Sequence, residues 1–249
     1  VRVPFGVWVV AGVLVGALGA SALVASGALD REVGADDPDD EQAVQQEQHD
    51  QAAQDEQQAR AATAFIDAWE RSRLGTYVVE LSLHRTFADG TGFTADRSIA
   101  QRPPDRLERS FGSITARLDG DVVRCRVSAR QYRCTSGPAG RSYRALVRDE
   151  VDTLRTYFEG PVPLYVVTAD GGCFDLRQER PLPAPPYGTA ARFCFDDETG
   201  ATTSIRVERD EATDVTEATE VRTEVRDRDL QPPDDGDPAA AGPPSRDEG

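Results

Sequence analysis

The sequence contains no Lys, no Asn and no Met. All 28 basic residues are therefore Arg. Lys and Asn have AT-rich codons, so their absence reflects a GC-rich genome and not a binding role. The missing Met leaves the biological start open. His is nearly absent: the chain has two, His49 and His84. With no CxxC spacing and so little His, no metal site is expected. Asp196, Asp197 and Glu198 are adjacent acids, but they lack the alternating ligand spacing of a calcium loop. There is no phosphate-binding or dinucleotide-binding glycine motif and no G-x-S-x-G elbow. His84 falls on the polar parity of a strand, with no Ser placed beside it. No catalytic residue and no cofactor are expected. Basic excess is lacking too: 44 acids against 28 bases give a net charge of −16. That balance argues against a nucleic-acid partner, which selects a basic surface.

What is present is unevenly spread. Residues 30–60 hold 11 acids and two bases, and residues 231–249 hold five acids and one base. The acidity belongs mainly to the flanks, and residues 61–230 carry ordinary charge. Val3 to Leu29 is a run of 27 residues without a charge. At ~1.5 Å per residue a helix of this length reaches ~40 Å, enough to cross a ~30 Å hydrocarbon core with tilt. The run is expected to be a transmembrane anchor. A secretory signal ending at Ala20-Ser21-Ala22 is the competing reading. Both export the rest of the chain. Arg2 precedes the run and Asp30, Glu32, Asp36 and Asp37 follow it, which places the N-terminus in the cytoplasm. The expectation is a single-pass protein of the cell membrane with its domain on the extracytoplasmic side.

Residues 30–60 read as an acidic, Gln-rich linker. Gly34 and Pro38 keep its first part irregular, and from about Asp40 the Ala, Gln and Glu content favours helix. Large apolar residues are scarce, so the helix would be a solvated spacer. A coiled coil would need sustained apolar positions, and the segment offers Val44 and alanines. The tail 231–249 has five Pro and three Gly among its acids and is expected to be disordered.

The domain is expected over residues 61–230. Ala61 to Gly75 reads as an amphipathic helix with Phe65, Ile66 and Trp69 on one side. The period then becomes two: Tyr77, Val79, Leu81, Leu83 and Phe87 alternate with Val78, Glu80, Ser82, His84 and Thr86. Short turns separate further runs through Phe93, Ile99, Leu107, Ile114 and Val127, so the sheet should be antiparallel. Leu146, Val147, Val151, Leu154, Tyr157 and Phe158 recur at helical spacing between Ser142 and Glu159. Strands resume after Gly160-Pro161. The expected class is α+β: a curved antiparallel half-barrel sheet with helices on its concave face, preceded by one transmembrane helix.

Four Cys allow three pairings. Cys173 and Cys194 are centred on the loop Pro181–Gly188, and a hairpin with that apex sets them opposite each other. Phe174, Leu176, Phe193 and Phe195 then fall on the other parity and can line the core. Cys125 and Cys134 are centred on Ala129-Arg130, a second hairpin. The expected bonds are Cys125–Cys134 and Cys173–Cys194, each contributing ~2–4 kcal/mol. They suit an oxidising compartment.

The long first strand and turn (Tyr77 to Gly92), the run Gln101-Arg102-Pro103-Pro104-Asp105-Arg106-Leu107, and the turn Phe195-Asp196-Asp197-Glu198-Thr199-Gly200 resemble the LolA/LolB/LppX lipoprotein-carrier fold. The likeness covers about 75–230 and rests on turn chemistry. The chain is also similar to RseB-like sensors of that fold. The membrane span and the two bonds depart from the carrier pattern. The resemblance implies an unclosed barrel plugged by helices, with an apolar cavity for a lipid or a lipoprotein acyl chain. Val79, Leu81, Leu83, Phe93, Ile99, Leu107 and Phe111 would line that cavity, with Leu154, Tyr157 and Phe158 from a helical lid. The alternative is a sensor or interaction domain with an envelope protein as partner and no small ligand. In that case the same residues fill a core.

Overall fold

The computed structural model describes residues 38–160 and 162–239. The uncharged run 3–29 lies outside them. Among the described residues no helix is long and apolar enough to cross a membrane.

The first helix, α1, is one continuous element from Pro38 to Leu74, 37 residues long. The helix runs without interruption through residue 60, where the linker was expected to give way to the domain. No Gly or Pro interrupts residues 39–74, so nothing in the chain ends the helix there. Side-chain pairs four residues apart brace the exposed stretch. Gln46 donates to Asp50 and Gln51 to Asp55, both at 3.0 Å, and Glu56 pairs with Arg60 at 2.6 Å. Such pairs add a few tenths of a kcal/mol each, about 0.2–0.5. From Ala61 onward one face turns inward: Ala61, Ala62, Phe65, Ile66 and Ala68 are buried.

Eleven strands follow: β1 Tyr77–Phe87, β2 Gly92–Arg102, β3 Asp105–Ser110, β4 Ser113–Leu118, β5 Asp121–Ser128 and β6 Gln131–Pro138. Then come helix α2 Tyr143–Phe158, β7 Tyr165–Asp170, β8 Cys173–Gln178, β9 Ala190–Phe195, β10 Thr202–Glu208, β11 Ala212–Arg222, and a 3₁₀ turn Asp227–Leu230. They form one sheet in the order β6-β5-β4-β3-β2-β1-β11-β10-β9-β8-β7. All pairs are antiparallel. Two meanders thus join through the β1–β11 pair, and β6 and β7 remain as unjoined edges. The class is α+β with an unclosed antiparallel sheet.

Paired residues of antiparallel neighbours project to one face, so the register sorts the sheet into two. An inner row runs Leu83, Thr216, Ile205, Phe193 and Phe174. It packs under α1 and α2, where Phe65, Val151, Leu154 and Phe158 join Phe174, Phe193 and Val207. An outer row runs Val78, Ala100, Leu107, Ala116 and Val123. Val225 and Leu230, beyond the last strand, pack on that row. The core therefore lies on the inner face of one half-sheet and on the outer face of the other.

The described part of the tail, residues 231–239, bonds to the sheet edge. Asp237 O accepts from Tyr132 N, Gly236 N donates to Tyr132 O, and Ala239 N donates to Arg130 O, each at 2.9 Å. Asp235 accepts from Cys134 N at 3.0 Å. Residues 234–239 thus cap part of the β6 edge, satisfying backbone groups that an edge strand leaves open. A free edge offers a polar segment bonds that composition does not reveal.

The disulfides are Cys125–Cys134 and Cys173–Cys194, each at a directly paired position of a hairpin. Cys125 is 1% exposed, and Pro233 O lies 3.5 Å from Cys134 Sγ. Cys173 and Cys194 are half-buried on the outer face.

Candidate functional site

The ten residues expected to line one cavity are distributed over several packed groups. Val79, Leu81 and Ile99 cluster with Tyr77 and Ala201. Leu83 is buried on the same face. Leu154 and Phe158 belong to the helix–sheet core, with Tyr157 packed against it. Leu107 lies in the outer-face cluster, on the opposite side of the sheet. Phe111 is 44% exposed and meets Phe93 edge-on at 5.4 Å. The helix–sheet interface is filled by rings. Phe65 has Phe158, Phe174 and Phe193 at 5.5 Å and Trp69 and Phe195 at 6.1 Å. Burial near Tyr157, Glu150 and Tyr165 pushes the Tyr187 phenol far above its ordinary range.

A polar hub fastens both helices to the sheet. Gln101 is fully buried. Its Nε2 donates to Ser72 O at 2.9 Å and to Gly75 O at 2.8 Å. Its Oε1 accepts from Arg106 at 2.6 Å and lies 3.1 Å from the Tyr143 hydroxyl. That hydroxyl donates to Arg73 O at 2.6 Å. The Arg73 guanidinium grips Glu150 with two bonds of 2.8 and 2.9 Å, linking α1 to α2. The signal available in the sequence was the Gln before Arg102-Pro103-Pro104, which reads there as turn chemistry alone. Its function as a fastener depends on groups 26 to 42 residues away.

The Asp196–Gly200 turn is a second fastener. Asp196 Oδ1 accepts from both Thr199 N and Thr199 Oγ1 at 2.7 Å. The Thr199 hydroxyl and N–H hold the Asp196 carboxyl below its usual range. A Cβ at Gly75 would fall 2.4 Å from Thr199 O, so the end of α1 approaches the turn as closely as a glycine permits. His84 is exposed, 3.2 Å from Thr94 Oγ1.

Three surfaces remain open. The first is the inner face of β2–β6, beyond the helix–sheet core. Register places Arg97, Arg106, Arg117, Arg124, Arg126 and Arg133 on it. Glu108 is the one acid that the described strands add there. It bonds Arg97 at 2.8 Å and Arg106 at 3.2 Å. Burial would raise its carboxyl, but the two guanidiniums outweigh that and hold it below its usual range. A recess of about 450 Å³ opens at this face between Arg117, Val122, Arg124 and Thr135 on one side and Arg141 and Leu146 on the other. The second surface is a groove of about 710 Å³ between α1 and β7, with Gln57, Ala61 and Ala64 facing Val166, Val167 and Ala169. The third is an outer-face recess of about 440 Å³, where Arg192 bridges Asp175 at 2.5 Å and Asp170 at 3.0 Å.

An unclosed antiparallel sheet carrying two helices on its inner face is the architecture that the LolA/RseB resemblance implies, and this chain has that fold. Among solved structures it is similar to MucB (12% identity, TM-score 0.40), covering 73% of this chain and 66% of MucB. It is similar to a LolA superfamily protein from Nitrosomonas europaea (6% identity, TM-score 0.30), covering 69% of this chain and 98% of that one. LprF from Mycobacterium bovis is a third (8% identity, TM-score 0.31, 73% and 98% covered). No known family model matches the chain, and no curated protein matches it.

Proposed function

We propose that this chain is an extracytoplasmic binding domain, tethered to the cell membrane by residues 3–29, whose partner is another protein of the envelope. One observation carries the choice between a protein partner and an acyl ligand. The apolar inner face is consumed by α1 and α2, with Phe65, Leu154 and Phe158 packed onto Phe174 and Phe193. An acyl-chain site needs apolar surface left open to the ligand. The surfaces left open are a cationic sheet face and two grooves of mixed character. The two disulfides suit an oxidising compartment.

A second reading has one observation in its favour. Ala61, Ala64, Val166, Val167 and Ala169 give the groove between α1 and β7 an apolar floor that an acyl chain could follow. Native mass spectrometry of the full chain, purified without detergent after lipid exchange, separates the two. The protein reading expects a lipid-free mass. A lipid retained at one per chain overturns it in favour of the second. The tether has its own test, protease shaving of intact cells. Digestion of the domain while cytoplasmic markers survive is expected, and survival of the domain alongside those markers would reject the placement.

A further inference from the structure

The acidic chain carries a cationic sheet face, and the arrangement of its charges selects a ligand. We propose that the inner face of β3–β6 binds an extended acidic peptide segment, with Arg124 and Arg126 as its principal contacts and Arg117 and Arg133 flanking them. The proposal deepens the protein-partner reading and rests on it.

Alternation in β5 puts Arg124 and Arg126 on one face, and both are exposed. Neither guanidinium has a hydrogen-bond or ion-pair partner among the described residues, and the Arg124 carbonyl accepts from the Thr135 hydroxyl at 3.5 Å. Arg117 spends one N–H on the carbonyl of Arg141 at 2.8 Å, which leaves its charge unopposed. Arg133 faces Arg126 across the β5–β6 pair, with Asp235 at 3.8 Å. Arg141, at the rim, is paired with Asp149. Four neighbouring guanidiniums on bare strands repel one another. The fold sets one carboxylate against the four, Asp235 at 3.8 Å from Arg133, although the chain has 44 acids to draw on. Where a carboxylate does enter this face, at Glu108, two guanidiniums hold it in its charged form.

The spacing points to a peptide. Arg124 and Arg126 are two residues apart on a strand, so their forks repeat at about 7 Å. Carboxylates on alternate residues of an extended peptide repeat at the same interval, and each suits the two-pronged geometry of a guanidinium. Thr135, opposite Arg124, adds a hydroxyl. The recess is walled by Arg141 and Leu146 on one side. A single chain fits such a trough, whereas a flat bilayer surface meets its rim first.

The test uses the full chain and two short fluorescein-labelled peptides of identical composition. One alternates glutamate with threonine, and the other groups its glutamates in a block. Fluorescence anisotropy is expected to show tighter binding of the alternating peptide, weakening as salt rises. The double variant Arg124→Gln/Arg126→Gln, whose side chains are exposed, is expected to keep the parent's melting temperature and lose affinity at least about tenfold. Arg206→Gln, on the outer face, is expected to bind as the parent does. Equal binding of both peptides, or an unchanged affinity in the double variant, overturns the proposal. Phosphatidylglycerol vesicles form the other arm. Arg124- and Arg126-dependent vesicle binding without peptide binding overturns it in favour of a membrane surface. A lipid-free chain that ignores the peptide removes this site alone. A lipid-loaded chain that still binds the alternating peptide removes the protein-partner reading and leaves the site standing.

Discussion

Gln101 uses both ends of its amide where four segments meet: the end of α1, the residue after it, β3 and the start of α2. A buried amide so placed contributes less by its own bonds than by what its removal strands. Truncation leaves the Gly75 carbonyl short of a donor in a dry site, at about 1–3 kcal/mol for an unsatisfied group, and leaves Ser72 O with the Tyr77 hydroxyl alone at 2.7 Å. Gln101→Ala is expected to lower stability by about 2–4 kcal/mol, read by urea denaturation, and to speed hydrogen exchange at the ends of both helices. An effect below half a kcal/mol would show the hub to be incidental. Gly75 makes the complementary point. Its missing Cβ is what lets α1 meet Thr199 O. Gly75→Ala is expected to destabilise by about 1–3 kcal/mol through overpacking, despite the higher helix propensity of Ala. Circular dichroism melts check the sign.

At the scale of elements, α2 and the C-terminal segment each cover a different half of the sheet. Leu154, on the inner face of α2, is 1% exposed and packs into the helix–sheet core. A solid core predicts that Leu154→Ala costs about 2–5 kcal/mol, with no gain in uptake of a fluorescent fatty acid. A small cost with increased uptake would instead reveal α2 as a lid over usable space. The 3₁₀ turn seats Leu230 on the outer face. Two bonds of 2.9 Å from Arg222 and one of 2.8 Å from Arg226 N hold its Asp229. The Arg222 guanidinium, acting against desolvation and aided by that N–H, holds the Asp229 carboxyl down at about 2, where 3.8 is ordinary. A folded-state value below the unfolded one stabilises above the ordinary value, and the gain is lost as pH falls toward the depressed one. The turn should therefore release between about pH 4 and pH 2. Asp229→Asn should flatten that part of the stability profile. An unchanged acid limb in the variant would place the loss elsewhere.

The whole molecule is one sheet whose two halves meet at β1 and β11, more than a hundred residues apart in the chain. Closing such a pair is costly before its contacts form. The two disulfides span 9 and 21 residues, so each staples one hairpin within a meander and neither staples the central pair. Loop-closure entropy makes the longer one worth more, about 3 kcal/mol against somewhat less for the shorter. Replacing Cys173 and Cys194 with Ser is thus expected to lower the melting temperature more than replacing Cys125 and Cys134. The reverse order, measured by calorimetry, would mean that the cover given by Pro233 outweighs loop length. Either pair's loss should leave β1–β11 exchange protection in place.

Much of this was readable along the chain. The alternation in Tyr77–Leu83, the turns that separate the strands and the helical period of Val147–Phe158 are local, because backbone geometry repeats every two or 3.6 residues. The cysteine pairs were readable from hairpin symmetry for the same reason. The anchor at 3–29 and the acidic linker were likewise read from composition, and the anchor lies beyond the described residues. What alternation does not contain is which of its two sets faces a covering element. Val79 and Leu107 look alike in sequence, yet they lie on opposite faces of the sheet. The cover for Leu107 comes from Val225 and Leu230, over a hundred residues away, and the cover for Phe193 comes from α1. In sequence Arg124 and Arg126 are only the residues that alternate with Val123, Cys125 and Val127. Only the register that stacks them beside Arg117 and Arg133, on the part of the inner face beyond the helix–sheet core, turns scattered arginines into one cationic surface. Periodicity sorts residues into two faces, and long-range packing decides which face is a core and which is left open to a partner.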